Sequence, residues 1–249
     1  MVATQGSRSR VQWGSDFVGV YTDMVWGTGQ LAATFDGLGF TSVNEGSFAS
    51  IRTLPDGVLA VTTDTGDDDN AFFVGPPMKP ANGEGWCEAR FRTNSATLGA
   101  IYMGYTSVLA IDTPIMPAEF ATATMTYNAS ATQAGLNIDT DGTIVDARAV
   151  FANAGVVLSN ADANGTRAYD TLAANEWMIA RIEVRPNGSA LVKFGHAGEQ
   201  LRVVKEITSG LPTGTLLFPC LGFENRSAAA RVFSVDYFFG GNDRDWTNS

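Results

Sequence analysis

Apolar and polar positions alternate with a period of two along much of this chain, and no 11-residue window sustains a period of 3.6. The clearest run is Glu176 to Phe194. Met178, Ala180, Ile182 and Val184 fall on one face of an extended segment, and Trp177, Ile179, Arg181 and Glu183 on the other. Pro186-Asn187-Gly188 follows as a turn, because proline fixes its own φ while Asn and Gly tolerate positive φ, and Leu191 to Phe194 runs back. The pattern predicts a β-hairpin. Ile51–Leu54 and Val58–Thr63 around Pro55-Asp56-Gly57 predict a second one. From Gly85 to Thr93, Trp86, Glu88, Arg90 and Arg92 oppose Cys87, Ala89 and Phe91, as on a strand with one solvated or interfacial face.

Further strands are expected at 71–74, 99–105, 122–127, 135–139, 144–151, 155–158, 202–207, 216–223 and 230–239. Asp139-Thr140-Asp141-Gly142 and Asp162-Ala163-Asn164-Gly165 read as hairpin-type turns. In the last strand Phe233, Val235 and Tyr237 share one face, which makes Tyr237 a core residue beside an outward Asp236. About a dozen strands are too many for one open sheet without curling or splitting. The expected fold class is all-β, an antiparallel sandwich of two sheets with an irregular N-terminal arm. Residues 1–50 form the arm and edge strands, 51–240 the main domain and 241–249 a polar tail.

Composition narrows the function classes. A chain of 249 residues with 45% hydrophobic and 17% charged residues can bury one large core and is not disordered. Its 27 glycines suit a fold with many turns. A net charge of −10 argues against nucleic acid as a partner, which needs clustered Lys and Arg. No apolar run approaches a membrane span, and Met1 to Arg10 carries no apolar signal core, so cytoplasmic folding is expected. Cys87 and Cys220 both lie in strand-like segments and read as buried free thiols. Arg8 and Arg10 sit in an arm that is either free or ordered against a neighbouring subunit.

Candidate chemistry is sparse. Asp64, Asp67, Asp69 and Asn70 supply oxygen ligands that could hold Ca²⁺, but they lack the spacing of an EF-hand loop, and a solvated turn is the favoured reading. His196, the only histidine, follows Gly195 in a predicted turn and reads as a solvated loop residue. No Gly-x-Ser-x-Gly elbow, zinc spacing or phosphate-binding loop is present. No catalytic, cofactor-binding or metal residues are therefore assigned. Trp13, Trp26 and Trp246 could stack on sugar rings or anchor an interface, and the interface is preferred.

Several stretches together resemble a known fold. Gly85-Trp-Cys-Glu88-Ala-Arg90-Phe-Arg is similar to the early strand of concanavalin-like (laminin-G-like) jelly rolls. The Trp177 strand, the Asn187-Gly188 turn and the Phe194 strand resemble that fold's late hairpin. Leu216 to Leu221, with the segment from Glu224 to Tyr237, resembles its closing strands. With Asp67-Asp-Asp-Asn-Ala added, the pattern looks like structural proteins of tailed bacteriophages built on this jelly roll, over roughly residues 50–240. The same fold hosts glycanases, which need two nearby carboxylates. Where the resemblance places their acidic strand, this chain has Leu109-Ala-Ile-Asp112-Thr-Pro-Ile, one carboxylate and a strand-breaking proline. Glu84 and Glu88 are spaced by four but lie on another strand, with Trp86 where a middle acid would stand.

The resemblance implies a non-enzymatic virion structural protein, a head decoration (cement) protein on the capsid exterior, assembled in the host cytoplasm. Its partners would be the major capsid protein and further copies of itself as a homotrimer. No cofactor is expected beyond a possible Ca²⁺ at Asp64–Asn70. The alternative is a carbohydrate-binding, lectin-like module of a virion or tail fibre, with surface glycans as its partner.

Overall fold

Strands form where the sequence alternates, and also where both faces are apolar or covered. The computed structural model describes residues 10–11, 17–23, 29–31, 36–37, 40–45, 48–53, 58–63, 65–66, 70–97, 99–108, 116–121, 124–140 and 146–243, and up to residue 53 it is the backbone that is described. The first strands are β1 (Arg10–Val11), β2 (Phe17–Asp23), β3 (Gly29–Leu31), β4 (Asp36–Gly37), β5 (Phe40–Glu45), β6 (Phe48–Thr53), β7 (Leu59–Thr63) and β8 (Asn70–Val74). A 3-10 turn at Pro80–Asn82 precedes β9 (Gly85–Thr93) and β10 (Gly99–Thr106). Then come β11 (Ala118–Ala121), β12 (Thr124–Tyr127), β13 (Thr132–Asp139), β14 (Asp146–Asn153), β15 (Val156–Val157) and β16 (Thr166–Thr171). The last are β17 (Met178–Val184), β18 (Ala190–His196), β19 (Arg202–Ile207), β20 (Phe218–Asn225) and β21 (Val232–Asp243).

They assemble into two large antiparallel sheets and one small hairpin. The ten-stranded sheet runs β19-β18-β17-β9-β21-β7-β6-β3, with β2 beside the second half of β21 and β1 beside β2. The nine-stranded sheet runs β15-β14-β13-β10-β20-β8-β5-β4, with β16 beside β14. The hairpin β11–β12 stands apart as its own two-stranded sheet. Runs such as β13–β16 and β17–β19 stay in one layer, and the chain crosses between layers elsewhere, as at β7–β8, β9–β10 and β20–β21. The expected all-β, two-sheet antiparallel sandwich is the observed fold.

The core lies between the sheets because the alternation sends one parity inward. Cys87, Ala89 and Phe91 of β9, the even residues of β17, and Ala190, Val192 and Phe194 of β18 meet Ile101, Met103 and Tyr105 of β10 and Leu136 and Ile138 of β13. The hairpins predicted at 176–194 and 51–63 are observed as β17–β18 and β6–β7, although Pro55-Asp56-Gly57 lies outside the described residues. Both cysteines are buried and unbridged. Burial raises both thiols above their ordinary pKa, so neither is primed to react.

Two expectations are corrected. Residues 118–121 and 166–171 form β11 and β16, for which no strand was expected; of β16 only the central Ala168 is seen to enter the main core, too little alternation to show in the sequence. The second correction concerns Tyr237. The register of β21 shifts between Val235 and Tyr237, a β-bulge that inserts Asp236. A bulge adds one residue to one strand and so reverses the facing of everything beyond it. Phe233, Val235 and Phe238 therefore point inward, and Tyr237 points outward, its hydroxyl donating to Glu88 Oε1 at 2.8 Å.

Candidate functional site

Sheet faces turned away from the core carry whatever the molecule uses for contact. On the nine-stranded sheet every residue of β13 and nearly all of β10 is buried, so both faces of these strands are covered. The cover is the hairpin β11–β12. Met116, Ala118, Phe120, Met125 and Tyr127 pack down on Phe72, Val74, Ala100, Tyr102, Val150, Ala152 and Cys220, a second, smaller core outside the sandwich. Phe120 also lies under the Arg148 guanidinium, 5.2 Å from its ring centre. The loop before β16 supports the far strand: Tyr127 donates to Ala163 O at 3.0 Å, and the Met125 amide donates to Asn164 Oδ1 at 3.1 Å.

A buried charge centre fixes the hairpin to the sheet. Arg226, just past β20, has only 12% of its side chain exposed. Its Nη1 lies 2.9 Å from Glu224 Oε1 and 3.8 Å from Glu119 Oε2, and its Nε lies 3.8 Å from Asp139 Oδ1. Nη2 donates to Phe120 O at 3.3 Å. The other oxygen of Asp139 accepts from the Phe120 amide at 2.8 Å, so this one hairpin residue is held at both its N–H and its C=O. Glu119 in turn accepts from the Met116 amide at 2.9 Å. Burial, and then repulsion from Glu119, pushes the Glu224 carboxyl well above its usual range. Against burial, the attraction of Glu224, Asp139 and Glu119 raises Arg226 further, so it stays cationic. Glu224 and Asp139 expose no surface, so neither reaches a substrate oxygen in this arrangement.

Beyond the hairpin, exposure returns on β15 and β16, while Asp146 of the neighbouring β14 stays buried. Asp146 of β14 is paired with Arg167 Nε at 2.9 Å and Arg148 Nη2 at 3.7 Å. On β16, Arg167 and Tyr169 flank the inward Ala168, and Tyr169 is 81% exposed, the one aromatic among the large exposed apolar side chains described. An exposed aromatic ring two residues along the strand from an ion-paired guanidinium offers a stacking surface next to directional donors.

The outer face of the ten-stranded sheet differs in kind. Trp86 stacks on Phe239 at 5.9 Å, and the Arg90 and Arg92 guanidinium groups lie 4.8 and 4.6 Å from the Trp177 ring centre. Arg90 pairs with Asp236 at 2.6 Å, and Arg181 bridges Glu88 and Glu183. Against its burial, hydrogen bonds from Lys193 and Arg181 hold the Glu183 carboxyl below the usual range. A lowered folded pKa means stability that is present above the unfolded value and is lost as pH falls through the folded one. Glu183→Gln should therefore cost about 1 kcal/mol at neutral pH. The gap to wild type should close as pH falls below about 4, which melting curves between pH 7 and 3 would show.

The residues singled out in the sequence scatter. Asp64, Asp67, Asp69, Asp112, Trp13, Trp26 and Trp246 lie outside the described residues. Asn70 is buried and in register with Glu224, beside the charge centre. Glu88 is held by Tyr237 and Arg181, and Glu84 lies 4.0 Å from Arg185, so the two do not form a working pair. His196 ends β18, half-buried, with Nδ1 3.3 Å from Glu176. Sequence reasoning missed Arg226 and its three carboxylates. The available signal was Glu224 in an otherwise apolar strand, since a carboxylate on a covered face needs a partner.

No protein-family model and no curated protein sequence matches the chain. Solved structures do. A protein of unknown function, SO2946 from Shewanella oneidensis MR-1, is similar over 92% of this chain and 87% of its own, with 14% identity and a TM-score of 0.61. The seed lectin of Lotus tetragonolobus matches over 88% of this chain and 99% of its own, with 8% identity and a TM-score of 0.60. The exoplasmic/lumenal domain of VIP36, in a form bound to Ca²⁺ and Man3GlcNAc, matches over 82% of this chain and 83% of its own, with 11% identity and a TM-score of 0.53. The fold is the concanavalin-like jelly roll that these lectins share.

These neighbours raise the question of a metal ion, since Ca²⁺ is named for one of them and potassium for another. Among the described residues no group of three His, Cys, Asp or Glu is arranged to hold one. The three carboxylates that come nearest surround a guanidinium instead.

Proposed function

We propose that this protein is a non-catalytic, lectin-like module that binds surface glycans on the outer face of the nine-stranded sheet, at the margin formed by Tyr169, Arg167 and Asp146. The observation that carries this reading is Tyr169, projecting into solvent beside the Arg167–Asp146 pair. A pyranose ring stacks its C–H face on an aromatic, while its hydroxyls hydrogen-bond to the exposed guanidinium, which the buried carboxylate draws to that edge. The likeness to lectins supports it, one of them seen with a mannose-containing glycan. The burial of Asp139 and Glu224 supports the absence of catalysis. Tyr169→Ala should lower affinity for the best ligand on a glycan array at least about tenfold (~1.4 kcal/mol), with the melting temperature unchanged. An array without hits, or a variant that binds like wild type, would sink the proposal. Running it with and without Ca²⁺ also tests whether the Asp64–Asn70 loop takes that ion.

A second reading, capsid decoration, is favoured by the opposite face. Trp86, Trp177, Tyr237 and Phe239, interleaved with arginines, form a broad ion-paired surface on the ten-stranded sheet, and Trp, Tyr and Arg are the residue types on which protein interfaces concentrate their energy. This face would seat the module on a capsid exterior, against the major capsid protein and further copies in a homotrimer. Co-sedimentation with undecorated shells, lost on Trp86→Ala, would favour this role over glycan binding.

A further inference from the structure

We infer that Arg226 is a built-in cation: its guanidinium does the work of a bound metal ion, holding the hairpin β11–β12 on the outer face of the nine-stranded sheet without any divalent ion. The inference does not depend on what that face binds. A metal ion at such a place would draw together oxygen ligands from separate strands and fix their spacing. Arg226 does the same with oxygens from three elements: Glu224 of β20, Asp139 of β13, and Glu119 with the Phe120 carbonyl of β11. Its planar fork sends different nitrogens to different partners, Nη1 to Glu224 and Glu119, Nη2 to Phe120 O and Nε towards Asp139. Asp139 completes the clasp by accepting from the Phe120 amide.

The charge arithmetic favours a resident cation. Asp139 and Glu224 expose no surface; burial drives Glu224 towards its neutral form, and the buried Asp139 carboxylate is tolerated only when a positive partner stays with it. A covalently attached guanidinium is always present and always charged, whereas a metal site empties when the ion is scarce. The hairpin depends on this clasp. Two strands alone are marginal in water, and the floor beneath them is apolar, so a loosened hairpin would expose Phe72, Val74 and Tyr102.

The test is hydrogen–deuterium exchange of residues 116–127, with residues 178–184 of the other sheet as an internal reference for global folding. In wild type, exchange of 116–127 should be the same in excess EDTA as in millimolar Ca²⁺. Arg226→Met should speed it at least about tenfold while 178–184 stays protected, and Arg226→Lys, which keeps the charge but not the fork, should fall between. Should Arg226→Met not fold, the Lys variant and the chelator experiment still decide. Chelation that loosens the wild-type hairpin, or an Arg226→Lys hairpin as protected as wild type, would overturn the inference.

Discussion

Gly104→Ala should remove a large fraction of the protein's folding stability. Gly104 of β10 is in register with Gly135 of β13 at the middle of the nine-stranded sheet. A methyl group at 104 would collide with Ala134 O and stand 2.5 Å from the Gly135 Cα, both backbone atoms of the paired strand. A side chain could rotate aside, but a central strand held by hydrogen bonds on both edges cannot. Relief would mean separating β10 from β13, and with it the floor under the hairpin. Overpacking ordinarily costs about 1–3 kcal/mol, and here no rotamer relaxes it, so at least about 3 kcal/mol is expected of a total near 5–15. Soluble yield and the urea midpoint would check this. Gly214→Ala is the control, because nothing lies within 4 Å of its added methyl, and it should change stability by less than about 0.5 kcal/mol.

The glycine pair also shows where sequence reading stops. Period-two alternation located β9 and β17 because one face of each is buried and the other largely half-exposed, which is the condition that writes alternation into a strand, whereas β18 was located by the turn before it. On β10 and β13 both faces are covered, so the strands expected at 99–105 and 135–139 are observed but nothing in their alternation marks which face is inward, and β13 begins three residues before its expected start at Gly135. The reason for the glycines is tertiary. Tyr102 leaves no space for a side chain at Gly135, and Phe72 leaves none at Gly222. The bulge at Asp236 has no Gly or Pro to mark it, so extrapolating the period carried Tyr237 to the wrong face.

The candidate site was less legible than the fold for the same kind of reason. Glu119, Asp139, Glu224 and Arg226 are dispersed over more than a hundred residues, and only the crossing of three strands brings them together. Taken singly, each is an ordinary surface-type residue. Tyr169 sits in a strand whose one inward side chain is Ala168, so neither the strand nor its exposed ring stands out from the sequence. The acidic loop at 64–70 drew attention because its charge is consecutive. The charge centre escaped notice because its members are not.

Phe223→Ala should cost about 3–5 kcal/mol, the second largest loss expected here. No backbone hydrogen bonds join the two layers of a sandwich, so their union rests on interdigitated side chains. Phe223 of β20 stacks on Phe233 of β21 across that gap, with ring centres 4.7 Å apart, and meets Phe73 of β8 edge-on at 6.2 Å. It is fully buried, and the rings around it sit on strands pinned by neighbours on both sides, so the vacated space cannot collapse. Phe223→Leu, which refills most of the volume, should cost roughly half as much. The urea midpoint should fall at unchanged m-value for both variants. Because the two rings lean on each other, Phe223→Ala with Phe233→Ala should cost less than the sum of the single changes by about 0.5–1.5 kcal/mol. Strict additivity would mean that each ring is held by its own sheet, and that the stack does not couple the two layers.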